Sequence, residues 1–312
     1  MGPPDAISSR GIGHTRVEIE KGTAMTFGGV QVDHFWIAFF GLVGIIWGSF
    51  CNVLIARIPA SENISGRSRC PHCRHTLGIV DLVPVFSYLL LGGQCRYCKG
   101  PISFRYPLVE IACGFLFMLA FSRTGLAPIP LALYLVYVTV AVVIAVIDFE
   151  HTIIPNQMVL LGILAAGLGS VLGVGPEILS GITGALIGGG TFMILYLITR
   201  GGGIGMGDVK LLFFMGLALG PLKLLPAVLA GAVTALLFSA AIMLRFRGEM
   251  ESLENVSISM DQDEEPEITA RVWGMMIING KPAVPFGPFL ALGFLIALFW
   301  GEPILDLWLG AG

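Results

Sequence analysis

The chain of 312 residues is long enough for one large or two ordinary domains, yet 55% of it is hydrophobic and only 12% charged. An ordinary soluble domain carries about 25% charged residues, and the mean hydropathy here is +0.84. These values exclude a soluble enzyme, a disordered chain and a disulfide-stapled secreted scaffold. The formal net charge of −3 holds no basic excess for nucleic acid. Forty-two glycines agree with membrane helices, where Gly is more frequent than in soluble ones.

In chain order, residues 1–34 form an N-terminal extension with no apolar core or cleavage site of the secretory kind, and 1–24 read as a dispensable or misassigned extension. A span needs about 20 mostly apolar residues. The first is Phe35–Leu54 within a segment 35–54, followed by a polar, cysteine-bearing loop at 55–106. A core at 107–244 then holds Pro107–Phe121, Leu126–Ile147, Gln157–Val174, Ile178–Thr199, Val209–Leu219 and Leu222–Leu244. The sixth span, Val209–Leu219, is short and Gly-flanked, so it is expected to tilt or to span only in part. An acidic insert occupies 245–284, with its carboxylates concentrated at 249–267 as a solvated stretch, and Phe286–Leu309 closes the chain within 285–312. The expected fold is an all-α polytopic membrane protein of about eight transmembrane helices, with a cytoplasmic zinc-knuckle loop between the first and second.

Orientation follows from Lys and Arg. With the N-terminus outside, thirteen of the 18 fall in inside segments, seven of them in the loop 55–106. The C-terminus is then also outside, and the loop is cytoplasmic.

That loop carries Cys70-Pro-His-Cys73 and Cys95-Arg-Tyr-Cys98. Paired C-x-x-C knuckles at about this separation are a zinc signature. Four thiolates close a tetrahedral site and leave no open position, so the metal is structural. Two disulfides are the other reading, but they need an oxidising compartment, which the basic loop argues against. His75 is a spare ligand. Cys51 and Cys113 lie in apolar spans as small core residues.

Ionisable residues in spans are expensive and mark function by default. Asp148 ends the third span and Asp208 begins the sixth, so two carboxylates arrive at the same cytoplasmic depth. A pair sharing one site holds one proton between them. The charged member can draw a proton from water while the neutral one donates to a peptide carbonyl. Alone, Asp208 would read as a helix N-cap. Asp148 sits at a helix C-terminus, where the dipole disfavours an anion. The dipoles therefore assign Asp208 as resting base and Asp148 as resting acid. Gly205 and Gly207, in the Gly-rich run 201–207, let the backbone approach an extended substrate closely. The run lacks a Walker Gly-Lys-Ser/Thr. Ile154-Pro155-Asn156 reads as a helix start. Glu110 is either solvated or hydrogen-bonded within the bundle.

These motifs together resemble the type IV prepilin peptidase family, membrane aspartyl proteases with a Gly-x-Gly-Asp motif. The resemblance is carried by Gly48-Ser-Phe-Cys-Asn-Val-Leu-Ile-Ala-Arg-Ile-Pro59, the two C-x-x-C pairs and Pro101-Ile-Ser-Phe-Arg-Tyr-Pro-Leu-Val-Glu110. It continues through Asp148, Ile154-Pro155-Asn156, Gly205-Met-Gly-Asp-Val-Lys210 and Pro285-Phe-Gly-Pro-Phe-Leu-Ala-Leu-Gly293. It implies a bacterial inner-membrane enzyme that removes the leader from type IV prepilins or pseudopilins at the cytoplasmic face. N-methylation of the new terminus by S-adenosylmethionine follows in many members. Asp148 and Asp208 fall on the family's catalytic pair. Cys70, Cys73, Cys95 and Cys98 match the cysteines of its bifunctional members, and Gly93 and Glu110 are positional candidates for the methyl-donor site. The alternative from another class is a transporter using intramembrane carboxylates. No H-E-x-x-H or G-x-S-x-G occurs, so metalloprotease and serine-nucleophile chemistries lack their motifs.

Overall fold

The computed structural model describes residues 24–27, 30–201, 204–245, 268–272, 275–278 and 281–310. The readings placed on 1–23 and on the acidic stretch 249–267 lie outside the described residues. Every expected apolar segment is helical. The long helices are α1 (His34–Arg57), α3 (Arg105–Thr124), α4 (Pro128–His151), α5 (Asn156–Val171), α6 (Ile178–Ala185), α7 (Thr191–Thr199), α8 (Met206–Arg245) and α9 (Gly287–Leu309). One π turn, Leu186–Gly190, joins α6 to α7, so Ile178–Thr199 runs as a single rod. A short α2 (Phe86–Leu90) lies in the cysteine loop. There are two small antiparallel sheets: β1 (Ala24–Phe27) with β2 (Val30–Asp33), and β3 (Ile268–Val272), β4 (Met275–Ile278) and β5 (Lys281–Ala283).

The expected sixth and seventh spans are two arms of one element. Gly220 has φ 72° and ψ 173°, a conformation open to glycine, and Pro221 follows it. Contacts with the Ile178–Thr199 rod show that the chain reverses there. Gly184 lies against both Gly216 and Gly220, and Gly188 against both Leu212 and Leu224. Among the described residues, six helices are long and apolar enough to cross a membrane: His34–Arg57, Arg105–Thr124, Pro128–His151, Ile178–Thr199, Met206–Arg245 and Gly287–Trp308. The two arms of Met206–Arg245 count there as one helix, and the expected number of eight spans is not confirmed by these six. α5 has 16 residues, a rise of about 24 Å against a hydrocarbon core of about 30 Å.

Side-chain contacts fix the directions. Gly44 packs on Cys113 and Gly114, and Gly48 on Glu110, so α1 and α3 are antiparallel. Tyr137 meets Phe294 and Tyr134 meets Phe299, which makes α4 antiparallel to α9. Tyr137, Phe214 and Phe294 form the aromatic centre of the bundle, with ring centroids 5.1–6.0 Å apart. Large apolar side chains also point outward at helical spacing. Phe39, Leu42, Ile46 and Phe50 on α1, and Leu160, Leu164, Leu168 and Val171 on α5, are all exposed. A water-soluble protein rarely exposes apolar patches of that extent, whereas lipid is the natural neighbour of such stripes. The protein is a multi-pass membrane protein.

Candidate active site

α4 delivers Asp148 from its last turn, and the helix ends three residues later with Thr152 in the left-handed conformation, φ 55°. α8 begins at Met206, so Asp208 lies in its first turn. It is not the N-cap that it would read as alone: it sits at the third helical position, and its Oδ2 accepts the N–H of Gly205 at 3.3 Å. The two approaches meet because the turn after α4 packs against the start of α8. A Cβ at Gly207 would come within 2.9 Å of Ile154, and Lys210 Nζ donates to Asn156 Oδ1 at 2.9 Å. Asp148 and Asp208 consequently lie within Coulombic reach of one another. Gly207 thus serves close packing of the turn after α4, and Gly205 supplies a donor to Asp208.

Asp148 is buried. Its Oδ2 accepts the N–H of Gly287 at 2.9 Å, and Gly287 is the first residue of α9. The carboxylate at the end of α4 therefore also faces the positive end of α9. Both carboxylates thus face a helix N-terminus, so the dipole argument that separated resting acid from resting base loses its basis. A Cβ at position 287 would fall 2.5 Å from Asp148 Oδ2, which accounts for glycine there. Sequence reasoning quoted Gly287 within a motif but gave it no role.

Beside the pair, Arg105 at the start of α3 forms an ion pair with Glu150 of α4 and stacks over Tyr106 at 4.7 Å. Glu110 is buried rather than solvated. Its Oε2 accepts the backbone N–H of Val85 from the cysteine loop at 2.7 Å. Asn52 on α1 is buried as well, and its amide donates to the Tyr106 carbonyl at 3.1 Å. Neither Val85 nor Asn52 was singled out from the sequence.

In the loop, the two C-x-x-C segments fold as matching knuckles. Cys70 N–H donates to the His75 carbonyl and Cys95 N–H to that of Gly100. Arg74 and Lys99, each directly after its second cysteine, take positive φ of 58° and 59°. The four Sγ atoms lie within 4.8 Å of one another, and Cys70 and Cys98 are 3.8 Å apart as free thiols. The N–H groups of Cys98 and Tyr97 bring the Cys95 thiol down to about 7, against the opposing effect of burial. His75, the spare ligand, instead stacks on Tyr97 with centroids 3.7 Å apart. Asp81 clasps the second knuckle through Arg96 at 2.7 Å and Tyr97 at 3.1 Å. Burial pushes the Asp81 carboxyl up, but the Gly78 N–H, the Tyr97 hydroxyl and the Arg96 charge outweigh it and hold it below the usual range. Gly93 has φ 70° and packs on Tyr88, so the turn itself accounts for that glycine.

Comparison with known proteins agrees with this layout. The model of the bacterial peptidase A24 N-terminal domain matches residues 42–124, and that of the type IV leader peptidase family matches 135–240. A prepilin leader peptidase/N-methyltransferase of Burkholderia pseudomallei (strain K96243) is 32% identical over 305 residues, covering 86% of each chain. That of Stutzerimonas stutzeri is 30% identical over 298 residues, covering 84% of this chain and 90% of its own. The Bacillus subtilis (strain 168) protein of the same name is 28% identical over 269 residues, covering 86% and 96%. No solved structure matches. With both halves matched and relatives aligned along most of their length, the chain belongs to the type IV leader peptidase family.

Proposed function

We propose that this protein cleaves the leader from type IV prepilins or pseudopilins with Asp148 and Asp208, and then N-methylates the new terminus. The observation that carries the reading is the convergence of those two carboxylates from α4 and α8 in a chain of this family. One carboxylate takes a proton from water as the water oxygen attacks the scissile carbonyl. The other gives its proton to the carbonyl oxygen, and collapse of the tetrahedral intermediate passes a proton to the leaving nitrogen. Gly287 N–H orients Asp148, and Gly205 N–H orients Asp208. S-adenosylmethionine supplies the methyl group in the second reaction.

The reaction side is the cytoplasmic face of the bacterial inner membrane, with both termini outside. Arg57, Arg105, Arg200, Lys210 and Arg245 lie at the helix ends that share the aspartates' side, while Arg123 and Lys223 lie at the opposite ends. That asymmetry supports the orientation through the preference of Lys and Arg for the cytoplasm. The four cysteines suit structural zinc. Tetrahedral Zn–S bonds of about 2.3 Å place sulfurs about 3.8 Å apart, and the Cys70–Cys98 separation is 3.8 Å. The transporter alternative draws no support from the family assignment.

The test is a mass spectrum of a prepilin incubated with the purified protein in detergent and S-adenosylmethionine. Loss of the leader with a gain of one methyl group is expected. A precursor left intact by folded protein would overturn the reading, and leader loss alone would remove its second half.

A further inference from the structure

The cleavage chemistry draws on α4, α8 and α9 and leaves a second buried polar cluster between α1 and α3 without a role. Asn52 donates its amide N–H to the Tyr106 carbonyl. Because that carbonyl can only accept, the Asn52 oxygen points the other way, and it is buried with no partner. Glu110 lies one turn along α3 from Tyr106, with Gly48 pressed against its Cα. Side chains on a helix lean toward its N-terminus, so the Glu110 carboxylate rises toward the level of Asn52. Both residues are more than nine-tenths buried, and no ion pair to Glu110 is present among the described residues.

Glu110 has two partners, the Ser49 side chain and the Val85 N–H, and the second is unusual. Val85 holds φ 61° and ψ −48°, with Phe86 N–H donating to the Pro84 carbonyl at 2.6 Å. This is the rarer, strained hand of γ-turn, and a β-branched residue is poorly suited to it. The loop is bent into that turn where it brings the Val85 N–H onto a buried carboxylate that the Ser49 side chain also reaches. Strain of this kind gathers at functional sites.

Building on the bifunctional reading above, we propose that Glu110 and the Asn52 oxygen seat the α-amine that cleavage releases, with the Val85 N–H holding its place beforehand. Two acceptors without a competing cation fit a primary amine. The orphaned amide oxygen calls for an N–H donor, which a methylsulfonium group lacks. The ammonium form gives one proton to Glu110. The nitrogen lone pair then forms the new N–C bond as the S–C bond of the methylsulfonium donor breaks, and sulfur keeps that bond's electron pair. The Arg105–Glu150 ion pair joins this cluster's helix to the end of α4, two residues from Asp148, so the helix that carries the amine seat is tied to the one that carries Asp148.

The experiment uses the full chain in detergent and a peptide of the mature pilin N-terminus, with either a free or an acetylated amine. The free amine is expected to bind at least about tenfold more tightly to the wild type, and Glu110→Gln to abolish the difference. That variant keeps an oxygen to accept the Val85 N–H. It is expected to lose methylation by about 100-fold or more while leader release stays within about twofold. Asn52→Leu is expected to raise KM for the peptide by about tenfold and leave KM for the donor unchanged. Equal binding of the two peptides by the wild type, normal methylation by Glu110→Gln, or loss of its leader release would each overturn the proposal. A wild type that cleaves but does not methylate would refute the bifunctional reading, while the binding contrast would still decide whether an amine seat exists.

Discussion

Asp148 and Asp208 were legible in the sequence because an ionisable side chain in an apolar span is costly and rarely idle. What holds them was not legible, because the holding groups are backbone N–H donors at Gly287 and Gly205, and a backbone donor leaves no mark on residue type. The same holds for Val85, an ordinary apolar residue in the sequence that the fold bends into a strained turn on Glu110. The Gly287 contact yields a specific expectation. A methyl group at position 287 would collide with the Asp148 carboxylate, which must then move off its present seat. Gly287→Ala is expected to lower kcat for leader release by about 100-fold, since a displacement of about 1 Å at a catalytic group has that effect. KM is expected to change little, and unchanged kcat would show that Asp148 tolerates another position.

At the scale of elements, hydropathy located every apolar helix but could not pair them. The short sixth segment and its successor read as separate segments, and the structure folds them as the two arms of a hairpin at Gly220, packed along the Ile178–Thr199 rod as the sequence did not foretell. The cause is a contact between small residues that apolar periodicity does not report. A Cβ on Gly216 would overlap the Gly184 backbone, so the two helices touch main chain to main chain, as small residues permit in membranes. Gly216→Val is expected to destabilise the protein by about 1–3 kcal/mol, read as a lower melting temperature in detergent; an unchanged melt would mean that the rod can shift away. The cysteine loop was more legible, because the spacing that brings its four thiols together is written directly in sequence. One zinc per chain is expected by elemental analysis, falling to background in Cys73→Ser/Cys98→Ser. A metal-free wild type, or a disulfide in the purified protein, would contradict the metal reading.

For the whole molecule, the distribution of Lys and Arg anticipated an ordering that the structure carries in its helix directions. The ends bearing Arg57, Arg105, Arg200 and Arg245 gather on the side of the aspartates. The two small sheets were not anticipated, because their strands are only three to five residues long and lie in segments read as an N-terminal extension and an acidic insert. In a cysteine-depleted background, Ser61→Cys is expected to be shielded from a membrane-impermeant thiol reagent added to intact cells, and Thr124→Cys to react with it. The reverse pattern would invert the orientation and put the aspartates on the wrong side for a leader that stays in the cytoplasm. The most direct test of the central claim replaces one carboxylate at a time. Asp148→Asn and Asp208→Asn, purified with melts matching the wild type, would each be incubated with a prepilin and the products weighed. Each variant is expected to leave the precursor intact, a loss of ~10³-fold or more. Leader release by either at a rate near that of the wild type would contradict the account.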